Sequence, residues 1–290
     1  MRKTVLSLVS VAALALAGCQ GSSSEQAGNG GPASPESAAT VSIPSEVSGT
    51  ISLREGSPQP SDKATLVLNL ADVSSTAVGS APLATKTSPA GTFPQPFKLT
   101  FNPADVKPND LYVVQAVLTD GERHYVMPIQ APVLAKGSKN DAVSIQLVAE
   151  QTPGEKLLAE FSDQQKQLGA MKVSHGTKLE KDASRGWQLF RQDGQIQFIR
   201  ELVEYTKDGF TSTDYAYKDG KPWAIVQQYM ASRDGKPTSV DRAGWSDDGT
   251  LVLKQHQVGS DVQVLDAAEA DKLKQEAKTI LGLATNGKNK

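Results

Sequence analysis

The sequence is poor in the residues on which much protein chemistry depends. Its 290 residues include one cysteine and three histidines. A single cysteine cannot close an intramolecular disulfide, so even in an oxidising compartment the fold must draw its stability from an apolar core. His124, His175 and His256 are far apart and lack a metal-ligand spacing such as HxxxH. No serine stands in a GxSxG elbow, and neither a GxGxxG nor a Walker loop is present. Those absences leave nucleophile-elbow hydrolysis, dinucleotide binding and nucleotide hydrolysis without a sequence signal, and no cofactor is expected. A paired-carboxylate hydrolase stays open, because two acids can meet from anywhere in a fold. Positive charge is not in excess either, with 30 Lys and Arg against 32 Asp and Glu, and no basic run argues for nucleic acid.

What is present begins at the N-terminus. Arg2 and Lys3 precede an apolar run from Val5 to Ala17, which is too short to span a bilayer and has the build of a secretory signal. Leu16-Ala17-Gly18-Cys19 resembles the bacterial lipobox. That resemblance implies cleavage after residue 18 and acylation of Cys19, which assigns the lone cysteine to lipid attachment. Gln20 occupies the position where aspartate usually signals inner-membrane retention, so the implied address is the periplasmic face of the outer membrane. Acyl chains contribute about 0.8 kcal/mol per buried methylene, and more than one chain anchors stably.

Removing Arg2 and Lys3 with residues 1–18 leaves 28 basic against 32 acidic residues, a net charge of −4. Residues 19–46 form the lipidated N-terminus and a linker of mostly Gly, Ser, Ala, Pro and Gln without aromatics. Such a composition cannot offset its ordering entropy, so the segment is expected to be a disordered tether with a span on the order of 30 Å.

Across 47–149 the apolar residues fall at period two: Val47, Ile51 and Leu53, then Leu66, Leu68 and Leu70, then Phe97, Leu99 and Phe101, then Val143, Ile145 and Leu147. That period belongs to half-buried strands. Leu111 to Leu118 is apolar on both faces, as in a central strand. Pro58, Pro60, Gly79, Pro89 with Gly91, Pro103, Asp120-Gly121 and Gly137 punctuate these runs. The pattern predicts an antiparallel β-sandwich, with a hairpin at Asp120-Gly121.

Val47-Ser48-Gly49-Thr50-Ile51, the run from Ala64 to Val73, the stretch from Gln95 to Val106 and the run from Tyr112 to Gly121 resemble the YscW-type, or YbaY-like, family of envelope lipoproteins. The segments occur in the family's order after a lipobox. Arg123 to Pro128 departs from the more apolar, threonine-rich strand of the family. The resemblance implies an accessory lipoprotein, in some members a chaperone that brings an outer-membrane secretin to its membrane. It implies no catalytic residue.

Residues 152–290 change character. Thr152-Pro153-Gly154-Glu155 carries a threonine cap, proline at the first helical position and the glutamate of a capping box. Leu157, Leu158, Phe161 and Leu168 then lie on one stripe of a helix ending near Gly169. From Trp187 onward, Asp-Gly recurs at residues 193, 208, 219, 234 and 248, a meander signal because glycine accepts positive φ. None of these pairs has the alternating acids and distal glutamate of an EF-hand loop. Asp266 opens a last helix with a stripe of Ala270, Leu273, Ala277 and Ile280 or Leu281, which Gly282 can close. The expected fold is therefore mainly β, a sandwich followed by an α+β unit of helix, meander sheet and helix.

Trp187, Trp223 and Trp245 all fall in this second unit, where they either pack the core or face a ligand. Three function classes follow. The first is a binding or chaperone lipoprotein for an envelope protein. The second is an envelope-maintenance lipoprotein contacting peptidoglycan or another glycan through its C-terminal sheet. The third is a hydrolase of unknown class.

Overall fold

The structure, a computed structural model, describes residues 43–74 and 81–286. Leu16, Ala17, Gly18, Cys19 and Gln20, most of the tether and the turn glycine Gly79 lie outside the described residues. Ile43–Lys290 forms one compact unit. Among the described residues it contains two eight-stranded sheets, the first around one apolar core and the second with an apolar core on each face.

The first sheet is built from β1 (Glu46–Leu53), β2 (Thr65–Asp72), β3 (Ala84–Pro89), β4 (Gln95–Thr100), β5 (Tyr112–Asp120), β6 (Arg123–Val126), β7 (Ala131–Val133) and β8 (Val143–Ala149). The strand order is β3-β2-β5-β6-β8-β1-β4, with β7 also on β5. Alternate residues of β2, β5 and β8 turn inward, so that Leu66, Leu70, Leu118, Ile145 and Leu147 are fully buried. Each such side chain stabilises the fold by about 1.5–3 kcal/mol. The period-two runs thus became the strands expected of them, and the sheet curls around one core in a barrel-like way. One ladder departs from an all-antiparallel sandwich: β1 pairs with β8 in parallel, Gly49 opposite Val143 and Leu53 opposite Leu147. Alternation reveals which face a strand buries, but not the direction of its neighbour.

Asp120-Gly121 does mark a hairpin. Gly121 takes φ 57°, and β5 and β6 pair from Asp120 opposite Arg123 to Leu118 opposite Tyr125. Positive φ at the first loop position is what a type II′ turn requires.

The second sheet is an antiparallel meander with its strands in chain order: β9 (Lys172–Leu179), β10 (Ala183–Gln192), β11 (Gln195–Tyr205), β12 (Gly209–Lys218), β13 (Lys221–Met230), β14 (Ser239–Trp245), β15 (Leu251–Val258) and β16 (Asp261–Val264). Helices cover opposite faces. α1 (Pro153–Gln167) buries Leu157 and Phe161 with Phe198, Ala224 and Leu253, whereas α2 (Ala267–Ala284) buries Leu273, Ala277 and Ile280 with Ile199, Tyr215 and Ile225. The capping box at Thr152 is complete, with Glu155 N donating to Thr152 Oγ1 at 3.2 Å and Thr152 N donating to Glu155 Oε2 at 3.0 Å. At the other end, Asp266 caps α2 through Ala268 N at 2.7 Å.

Register shifts interrupt three ladders at the same end of this sheet, each leaving one residue unpaired: Gln197 in β11, Trp223 in β13 and Val252 in β15. All three meet α1. Gln164 Nε2 donates to Gln197 O, the Phe161 ring meets Trp223 edge-on at 6.3 Å, and Gly154 lies so close to Val252 O that an added Cβ would stand 2.5 Å from it. Bulges bend the bulged strand and sharpen its twist, and here they shape the surface on which the helix sits.

Candidate functional site

The first sheet has an interruption on one side of β5. Along its other side β5 pairs with β2 from Tyr112 to Thr119. On the interrupted side it pairs with β7 over Tyr112–Val114 and with β6 over Leu118–Asp120. Gln115, Ala116 and Val117 face no strand there. The chain leaves β6 at Val126 and passes through Met127, Pro128, Ile129 and Gln130 before it rejoins the sheet as β7. Pro128 has no N–H to give a ladder and cannot extend β6 as a central strand.

The interruption is a groove of about 430 Å³ with mostly apolar walls. Val117 and Val126, both lining it, are 49% and 40% exposed. These apolar side chains share one concave surface, which makes it the candidate site. Tyr125 fixes the wall: its ring is buried in the core, its hydroxyl donates to Pro58 O at 3.0 Å, and burial raises its pKa. Glu150, next to β6, donates its N–H to His124 O at 2.8 Å and also lines the groove.

Arg123 connects this wall to α1. Its Nη2 donates to Glu155 Oε1 at 2.5 Å, and its Nη1 donates both to Glu155 Oε2 and to Glu150 O at 3.0 Å. The bidentate pair raises the pKa of Arg123 and lowers that of Glu155. The glutamate of the capping box therefore has a second task, holding the β5–β6 hairpin. Glu122 in the same hairpin pairs with Lys254 of β15 at 3.0 Å.

Residues 43–147 match the family model described as type III secretion system lipoprotein chaperone (YscW). The family resemblance of the strand motifs is thereby borne out, and the groove lies wholly within the YscW-like segment apart from Glu150. Residues 174–290 match a second family model, described as a protein of unknown function (DUF1481). No curated protein matches the chain. Among solved structures, an alternative pilotin from the type II secretion system of Vibrio cholerae aligns over 37% of this chain and 96% of its own, at 19% identity and a TM-score of 0.33. No shared geometry follows from a superposition of that quality.

The three tryptophans singled out by sequence do not form one platform. Trp187 lies across Gly176 of β9 and packs toward α2. As a bulge residue, Trp223 turns toward Phe161 of α1. Trp245 is 6% exposed and packs with the α2 core, with Lys274 Nζ 4.4 Å from its ring centre. Trp223 and Trp245 nevertheless border a common cleft at the end of the sheet.

The histidines sit on three separate strands, His124 on β6, His175 on β9 and His256 on β15. His256 Nδ1 lies 2.5 Å from Asp241 Oδ1. Among the described residues, no group of three His, Cys, Asp or Glu is placed to hold a metal ion.

The groove was not anticipated from the sequence. Pro128 and Pro132, four residues apart after a short strand, are the signal that could have revealed an interrupted ladder.

Proposed function

We propose that the protein is a lipoprotein anchored through acylated Cys19 to the periplasmic face of the outer membrane, where it serves as a non-catalytic binding or chaperone module for an envelope protein, in the manner of a secretin pilot. The observation that carries this reading is the match of residues 43–147 to the lipoprotein-chaperone family, over the segment that holds the apolar groove. Capture would use the groove beside β5, where an apolar segment of the partner covers Val117 and Val126. An extended segment could also pair with the free interval at Gln115–Val117, as in strand addition. The segment between Cys19 and the folded body would let that body reach a partner while the lipid stays in the membrane.

The test is genetic and biochemical. In the native bacterium, deletion of the gene or Cys19→Ser is expected to reduce secretin multimers in the outer-membrane fraction severalfold, and intact-mass analysis of the wild-type protein is expected to find an acylated residue 19 at the N-terminus. Unchanged multimers in both strains, or an unmodified thiol, contradict the reading.

A further inference from the structure

A second concave surface lies in the C-terminal unit, independent of the accessory role above. It is a cleft of about 590 Å³ at the end of the meander, between the β12–β13 turn, the β14–β15 turn and α2. Its apolar lining is Pro222, Trp223 and Trp245. Its charged lining is lysine-rich: Lys218 and Lys221 flank the first turn, and Lys274 and Lys278 lie one helical turn apart on α2.

Three acids also line the cleft, Asp219, Asp247 and Asp248, and the last two are engaged. The Asp248 carboxylate accepts from Ser246 Oγ at 2.6 Å and Thr250 N at 2.9 Å, bonds that pull its pKa down to about 2. Asp247 pairs with Lys218 at 3.4 Å. Among the described residues, Lys221, Lys274 and Lys278 have no acid within ion-pair distance, and Lys274 instead places its ammonium over the Trp245 ring. Lysines held around an aromatic wall without carboxylate partners suit a ligand that has both a flat C–H face and negative charge.

We propose that this cleft binds a short saccharide bearing a carboxylate or phosphate, its sugar ring against the half-buried Trp223 and its anionic group between Lys274, which lies over the buried Trp245 ring, and Lys278, with Lys221 at the entrance. Two sources carry that chemistry: a carboxylated glycan of the cell wall and a phosphorylated sugar of a lipid headgroup.

The experiment titrates the full-length mature protein, following tryptophan fluorescence, with three probes: a muramyl disaccharide carrying its carboxylate, a glucosamine disaccharide phosphate and neutral diacetylchitobiose. Saturable binding of either anionic probe, with the neutral disaccharide inert, supports the site, and the probe that binds names the source. Lys274→Ala/Lys278→Ala is expected to weaken that binding by about tenfold or more, the scale of losing a hydrogen bond to a charged group. The same variant should retain the wild-type unfolding midpoint, and Lys221→Ala should weaken binding as a separate exposed change. Absence of saturable binding with both anionic probes overturns the proposal, as does equal binding of the neutral one or unchanged affinity in both variants. None of these outcomes depends on whether the groove beside β5 captures a protein.

Discussion

At the scale of single residues, two glycines separate two kinds of crowding. A Cβ on Gly49 would stand 1.9 Å from Val143 O, across the parallel β1–β8 ladder, where backbone cannot step aside. A Cβ on Gly176 would stand 2.3 Å from the Trp187 ring, a side chain that can swing toward solvent. Gly49→Ala is therefore expected to cost about 3 kcal/mol or to prevent folding, at the upper end for overpacking. Gly176→Ala should cost less and should red-shift the tryptophan emission; denaturant titration followed by fluorescence measures both. The buried carboxylate of Glu201 makes a further case. It accepts from the Tyr215 hydroxyl at 2.8 Å and is ion-paired to Arg185, yet burial still raises its pKa. Tyr215→Phe removes one buried donor, so the unfolding free energy should fall by about 1–3 kcal/mol. No measurable change would mean that the hydroxyl bond is not formed.

At the scale of elements, the sequence was most legible where burial was one-sided and turns were tight. Asp193-Gly194 and Asp219-Gly220 both have positive φ, at 52° and 81° and at 52° and 72°, and each closes a two-residue hairpin of the type I′ kind. Gly220→Ala is expected to destabilise by about 1 kcal/mol or more. At Gly186, where φ is not positive and an added Cβ would meet nothing within 4 Å, the same change should be neutral or stabilising, and thermal unfolding of the two variants compares them. Arg233-Asp234-Gly235-Lys236-Pro237 nearly repeats the sequence around Gly220, yet Gly235 has no positive φ and the strands on either side end at Met230 and resume at Ser239. A local motif does not decide its turn when the flanking strands stop early.

Other elements had no readable pattern. Every residue of β16 is exposed, as is all of β9 except Gly176, so burial does not mark either edge strand, and the alternation of Val262 and Val264 in β16 is too short to read. The groove beside β5 is an absence of pairing, which no alternation encodes. The α1 cap was readable in full, but its tie to Arg123 was not, because that contact joins residues 32 apart in sequence. This tie makes a pH prediction. Glu155 has a folded pKa below its ordinary value of 4.5, so the stability it contributes is complete above that value and is lost as pH falls through the folded pKa. Wild type should therefore exceed Glu155→Gln in stability at pH 6–7, and the gap should close in acid. A gap that persists unchanged at low pH contradicts the assignment.

At the scale of the whole molecule, two ion pairs, Arg123 with Glu155 and Glu122 with Lys254, tie the β5–β6 hairpin to elements of the C-terminal unit. The hairpin is also a wall of the groove. The C-terminal unit thus braces the surface assigned to partner capture, in addition to carrying the lysine-rich cleft. The most direct measurement of that assignment is photo-crosslinking in living cells, with a photoreactive amino acid placed at Val126 in the groove and, as a control, at Leu179, which is 85% exposed on β9. The account predicts that the Val126 probe yields a dominant adduct with a secretin-type outer-membrane protein, identified by mass spectrometry, and that the Leu179 probe does not. Equal adducts at both positions, or adducts at Val126 only with cell-wall proteins, would contradict it.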